Sequence, residues 1–154
     1  MPGKPPQSQV QIRYPKPEEF GTIMGFRHQT ARASFPGAKI NRNMLESNIM
    51  RMMESDPESV MVADEAGAII GCVAMKRKGT LSGKTGVVEH IFVEKGSRGR
   101  GIAKVLMKAV EERLKKEGIR KVRATVTISN NPSLKMFRSL GYNKRRVVLE
   151  KNIR

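Results

Sequence analysis

The stretch Val93-Glu94-Lys95-Gly96-Ser97-Arg98-Gly99-Arg100-Gly101-Ile102-Ala103 joins an apolar, β-rich run to an amphipathic one. Upstream, Val87 to Val93 reads V-V-E-H-I-F-V, a strand. Downstream, Ile102, Val105, Leu106, Ala109, Val110 and Leu114 recur at i, i+3, i+4, i+7, i+8 and i+12. That is one face of a helix whose other face is rich in Lys and Glu. The glycines at 96, 99 and 101 allow a tight turn with backbone N–H groups directed inward, and the helix N-terminus adds partial positive charge. Such a strand–loop–helix junction suits a phosphate or pyrophosphate. Arg98 and Arg100 can add charge-assisted hydrogen bonds.

Working outward toward the N-terminus, Ser59 to Ala63 and Ala68 to Met75 are β-rich runs joined by a hairpin turn at Asp64-Glu65-Ala66-Gly67. Lys76 to Gly86 reads as a polar loop before the Val87 strand. Ahead of these, helical spacing covers Glu18 to Ala33 and Asn43 to Glu54, with Asn41 or Asn43 as cap. Val10 to Tyr14 alternates as a short strand ended by Pro15 and Pro17. Residues 1–9, with three prolines, are expected to form a flexible tail, leaving 10–154 as one domain.

Toward the C-terminus, Gly118 supplies a stop for the amphipathic helix. Lys121 to Ile128 alternates as a strand, and Asn130, Asn131 and Pro132 open a helix that Gly141 ends. Tyr142 to Ile153 is expected to contain a last strand or hairpin. The order is β-α-α-β-β-β-α-β-α-β, one α/β domain with a mixed central sheet flanked by helices.

The loop fails two familiar anion motifs. A P-loop requires Lys and Ser/Thr after its last glycine, whereas Ile102-Ala103 follow Gly101. A dinucleotide fingerprint from Gly99 and Gly101 requires a third glycine where Lys104 stands. What remains, Arg98-x-x-Gly101-x-Ala103, resembles the (Gln/Arg)-x-x-Gly-x-(Gly/Ala) signature of the GNAT family of acyl-CoA-dependent N-acyltransferases. A second region, Asn130-x-x-Ser133-x-x-Met136-Phe137-x-x-x-Gly141-Tyr142, is similar to the family's Asn-x-x-Ala-x-x-Leu-Tyr-x-x-x-Gly-Phe.

The resemblance implies a GNAT-like fold and direct transfer of an acetyl group from acetyl-CoA to a primary amine of a protein, peptide or small molecule. It places the pyrophosphate on the backbone of Arg98, Gly99, Arg100, Gly101, Ile102 and Ala103, and the pantetheine on the backbone of Phe92 and Val93. It also implies that the Val93 N–H polarises the acetyl carbonyl. Asn130, with Ser133 and Phe137 beside it in the motif, occupies a family position that contacts CoA or an ordered water. Glu89, four residues before Val93, stands where some members deprotonate the amine. Strand alternation puts residues 89, 91 and 93 on one face and His90 on the other. The family's thiolate-protonating tyrosine corresponds to Phe137, which has no proton to give; Tyr142, Ser133, Ser129 or water would substitute. The acceptor site would lie between the first two helices and the late hairpin, with the Met44–Met53 stretch as a possible lining.

The chain has 154 residues, 38% hydrophobic and 29% charged. With one cysteine, Cys72, and two histidines, His28 and His90, it offers neither a disulfide framework nor a persuasive metal cluster, so no metal is expected. No apolar run reaches membrane-spanning length, and a cytoplasmic location is the expectation. Residues 1–93 carry 12 cations and 9 anions, whereas residues 94–154 carry 18 and 5. That uneven field suits an anionic ligand or partner, RNA and acidic protein included. A basic nucleic-acid-binding module and a catalytically weak acyl-CoA-binding protein are therefore the alternatives to acyl transfer. The resemblance leaves a homodimer open.

Overall fold

A computed structural model describes residues 9–154. The expected flexible tail lies, apart from Gln9, outside the described residues. Five strands form one sheet in sequence order: β1 (Val10–Arg13), β2 (Val60–Glu65), β3 (Ala68–Thr80), β4 (Gly83–Val93) and β5 (Val122–Ala124). Neighbours are antiparallel except β4 and β5, which pair in parallel. Helices α1 (Phe20–Ser34) and α2 (Arg42–Ser55) precede β2, α3 (Ile102–Lys116) joins β4 to β5, and α4 (Asn131–Ser139) follows β5.

The sheet separates two cores. On one face, Ile23 and Phe26 of α1 and Ile49 and Met53 of α2 bury Val60, Val62, Cys72, Ala74 and Phe92. The rings of Phe26 and Phe92 stack with centroids 4.6 Å apart. On the other face, Ile102, Leu106, Met107, Val110 and Leu114 of α3 and Phe137 of α4 cover Met61, Val73, Met75 and Val88. The apolar stripe of α3 is thus the part of the sequence that fixes which way the glycine loop faces.

Local signals hold at the element ends. Asn41 caps α2 by accepting from the Met44 N–H at 3.1 Å, and Asn130 caps α4 by accepting from the Ser133 N–H at 3.3 Å. Gly118 takes φ +77 after α3, and the Ile119 N–H donates back to the Leu114 carbonyl at 2.9 Å. The β2–β3 turn has positive φ at both Ala66 (+52) and Gly67 (+87), the primed geometry that matches strand twist.

Three expectations change. Residues 76–86 are not a loop: β3 and β4 stay paired from Met75↔Val88 out to Thr80↔Gly83, so they form a long antiparallel ribbon. The ladder needs only backbone partners, which a polar, glycine-bearing sequence does not advertise. The strand expected over 121–128 shortens to Val122–Ala124. No strand forms in residues 142–154, where Val147, Val148, Leu149 and Ile153 remain exposed. Three residues of β5 offer too little edge to fix a register for them. Among the described residues no helix is long and apolar enough to cross a membrane.

Candidate functional site

The junction after β4 has the geometry of an anion cradle. The Glu94 N–H donates to the Ile70 carbonyl at 2.8 Å, holding the loop to β3, and a short turn over Lys95–Ser97 follows. Gly99 and Gly101 then take φ +76 and +79. A side chain there would be strained, and a Cβ at Gly96, Gly99 or Gly101 would meet nothing within 4 Å, so the backbone faces open space. The first helical bond runs from the Val105 N–H to the Gly101 carbonyl at 3.1 Å, and no side chain caps the N–H groups ahead of it. Uncapped N–H groups at a helix start, with room before them, bind anionic oxygen.

The two arginines differ. Arg98 folds back, its Nε donating to the Val93 carbonyl at 2.9 Å and its guanidinium 5.6 Å from the Phe92 ring centroid. Arg100 reaches to the end of β2 and donates twice to Glu65, at 3.0 and 2.5 Å.

Beyond the parallel register that ends at Val88↔Ala124, β4 has β3 on one side only. The Glu94–Ile70 bond sets the alternation of the antiparallel ladder. Phe92, opposite Cys72, then turns its polar backbone toward β3, and Ile91 and Val93 turn theirs toward the open edge. Ile91 and Val93, rather than Phe92, therefore offer the backbone groups at the open edge.

A β-bulge redirects the carboxylate expected to act as base. Ala74 opposes His90 and Met75 opposes Val88, which leaves Glu89 as an extra residue. The alternation is shifted by one position at this point. Ile91 and Val93 pack toward the α3 core, whereas His90 is buried toward α1, and Glu89 forms an ion pair with Lys76. Lys76 continues the α1/α2-facing series of Cys72 and Ala74, so Glu89 shares that face with His90 rather than with Ile91 and Val93. A bulge is a tertiary feature of strand pairing, invisible to simple alternation.

His90 is 3% exposed and bonded on both sides: Nε2 lies 2.9 Å from Thr30 Oγ1, and Nδ1 lies 3.7 Å from Cys72 Sγ. Burial, with Arg27 nearby, pushes its pKa down to about 4. Burial likewise pushes the Cys72 thiol up to about 12. Both groups are neutral at physiological pH. Next to Lys76, a cleft of about 230 Å³ is lined by Met52, Ser55, Asp56, Ser59, Met75 and Arg77 as well. Within the Met44–Met53 stretch, Ile49 and Met53 belong to the core, Met52 lines this cleft, and Met44 and Met50 are exposed.

On the other face, Phe137 is buried and meets the Tyr142 ring edge-on at 5.1 Å. The Tyr142 hydroxyl donates to Glu111 Oε1 at 2.9 Å, and burial together with that carboxylate raises its pKa well above the ordinary phenol value. Its proton is thus committed to Glu111. Asn130 and Ser133 meet through the helix cap already described. Two charged residues that sequence reading did not single out, Arg27 and Lys76, stand beside Glu89. Among the described residues no group of three or more His, Cys, Asp or Glu could hold a metal ion.

Comparison with known proteins converges on one family. The model of the acetyltransferase (GNAT) family matches residues 27–142. An acetyltransferase of Sodalis glossinidius is 31% identical over 104 residues, covering 68% of this chain and 70% of that protein. The fold is that of an aminoglycoside N-acetyltransferase, AAC(6')-Iy, solved with CoA (TM-score 0.76, 23% identity, 97% and 98% of the two chains). It is also that of a predicted acetyltransferase from Clostridium acetobutylicum solved with acetyl-CoA (TM-score 0.72, 18% identity, 94% and 96%).

Proposed function

This chain belongs to the acetyltransferase (GNAT) family, and from that premise we propose that it transfers the acetyl group of acetyl-CoA directly to a primary amine. The observation that carries the proposal is the uncapped start of α3 beneath Gly99 and Gly101, set beside the open edge of β4. The backbone of Arg98 to Ala103 fits a pyrophosphate, with Arg98 adding charge, and the edge groups of Ile91 fit the amides of a pantetheine arm, with the Val93 N–H left for its thioester. Bound acetyl-CoA would supply an activated thioester carbonyl.

The protein's own part is to orient, polarise and move one proton. The Val93 N–H donates toward the thioester oxygen, where charge develops as the amine adds. Glu89, directly or through water, takes the proton that the attacking nitrogen sheds. A carbon–nitrogen bond forms and the carbon–sulfur bond breaks, with the electron pair leaving on sulfur. Phe137 donates nothing to that sulfur, and the Tyr142 proton is engaged with Glu111, which leaves Ser129, Ser133 or water as the proton source. The surplus of cations in residues 94–154, 18 against 5, draws an anionic co-substrate toward the loop. The same field suits an acceptor borne on an anionic macromolecule.

The direct test mixes the protein with acetyl-CoA and an amine panel of amino acids, peptides and polyamines. The expected result is release of free CoA thiol matched one for one by acetylated amine. Thiol release without acetylated amine, or no release at all, would contradict the proposal.

A further inference from the structure

Arg27 lies on α1 against the sheet, with its Nε removed from solvent and without a hydrogen-bond partner. Glu89 is an acid whose charge acts on Arg27. Glu89, however, is held by the Lys76 ammonium. His90 and Cys72, which also interact with Arg27, are uncharged, and His90 is bonded to both Cys72 and Thr30. Burial lowers the pKa of Arg27, as expected for a desolvated cation whose neighbouring acid is engaged elsewhere.

A guanidinium with a buried, unused N–H is costly unless something completes it. Arg27 keeps part of its surface exposed, so a ligand can approach. Two cations and one anion surround the point where Glu89 would receive a proton. An incoming ammonium would meet net repulsion there, unless it brought its own negative charge.

We propose that the acceptor is an amine carrying a carboxylate close to the nitrogen, as in an α-amino acid, and that Arg27 receives this carboxylate. The inference rests on the acetyl-transfer reading above and names its substrate class. The guanidinium fork matches a planar carboxylate, which an ammonium cannot do equally well. Because Phe26 and Thr30, on either side of Arg27, sit against Phe92 and His90, Arg27 lies over the same stretch of β4 as Glu89, and amine and carboxylate are separated by a short span. Arg27 is therefore a specificity-determining residue.

The test compares the natural α-amino acids with their amides as acceptors, using the parent chain, Arg27→Gln and Arg27→Lys. In the parent, kcat/KM for the acids is expected to exceed that for the amides by about ten- to a hundredfold, mainly through KM. Arg27→Gln abolishes that preference, Arg27→Lys retains part of it, and acetyl-CoA affinity is the same in all three. As a second readout, N-acetylalanine titrated with CoA present shifts the Arg27 Nε–H resonance saturably, and N-acetylalaninamide does not. A parent that binds acetyl-CoA but treats acids and amides alike overturns the inference while leaving acetyl transfer intact. So does an Nε–H that ignores both ligands. A folded parent that fails to bind acetyl-CoA overturns the underlying reading itself.

Discussion

Thr30 on α1 meets His90 on β4 at 2.9 Å, and the Thr30 hydroxyl also lies 3.0 Å from the Phe26 carbonyl. With its single proton given to that carbonyl, Thr30 accepts from His90 Nε2–H, and His90 Nδ1 accepts from the Cys72 thiol. A neutral imidazole completes this chain, and a charged one breaks it.

The pH dependence follows with a definite sign. The folded pKa of His90 is about 4 against an ordinary 6.5, so between these values the unfolded chain binds a proton that the folded chain refuses. Stability therefore rises with pH across this window and falls on acidification from 6.5 toward 4. Urea unfolding between pH 4 and 7 should show that slope in the parent. In His90→Gln the chain is less stable at pH 7, but the slope over this window is largely removed.

A second window lies lower. Glu19 is gripped by Arg13 at 2.6 and 2.9 Å, which lowers its pKa to about 2, and Arg13 also donates to Asp64 at 2.8 Å. Glu117, held by Arg77 at 2.5 and 2.7 Å, is lowered to about 2 as well. A depressed acid contributes its stability above the unfolded pKa and loses it as pH falls through the folded one. Glu19→Gln should cost about 0.5–1 kcal/mol at pH 7, in the range of part-exposed ion pairs. The difference from the parent should shrink as pH falls toward 2 and vanish below it, as followed by thermal unfolding.

Gly86 marks where α3 presses onto the sheet. Its N–H donates to the Lys121 carbonyl at 2.9 Å, and a Cβ there would overlap the Leu114 side chain, which is fully buried. Gly86→Ala should destabilise the fold by about 1–3 kcal/mol through overpacking. Urea unfolding measures this directly, and an unchanged midpoint would mean that Leu114 can yield.

These relationships show what the sequence could and could not reveal. The α3 stripe, the glycine loop and the stops at Gly118 and Gly141 were legible because their causes are local: periodicity, φ and capping. The ribbon beyond Lys76 and the bulge at Glu89 were not, since pairing with a distant strand creates them. The bulge also turns Glu89 to the face opposite the one that simple alternation predicts. The companions of Glu89, Arg27 and Lys76, come from α1 and β3 and are brought to it only by folding. The unpaired run 142–154 fails for the opposite reason: its apolar residues suggested a strand, but β5 is too short to receive one.

The central claim is that the Gly99–Ala103 backbone binds acetyl-CoA, and calorimetric titration of acetyl-CoA into the parent and Gly101→Val tests it most directly. Valine at φ +79 would cost about 1–2 kcal/mol in backbone strain and fill the open space before the α3 N–H groups. The account predicts saturable binding to the parent and at least about tenfold weaker binding to a still-folded Gly101→Val, a change of about 1.4 kcal/mol or more. A folded Gly101→Val that binds acetyl-CoA as tightly as the parent would contradict it.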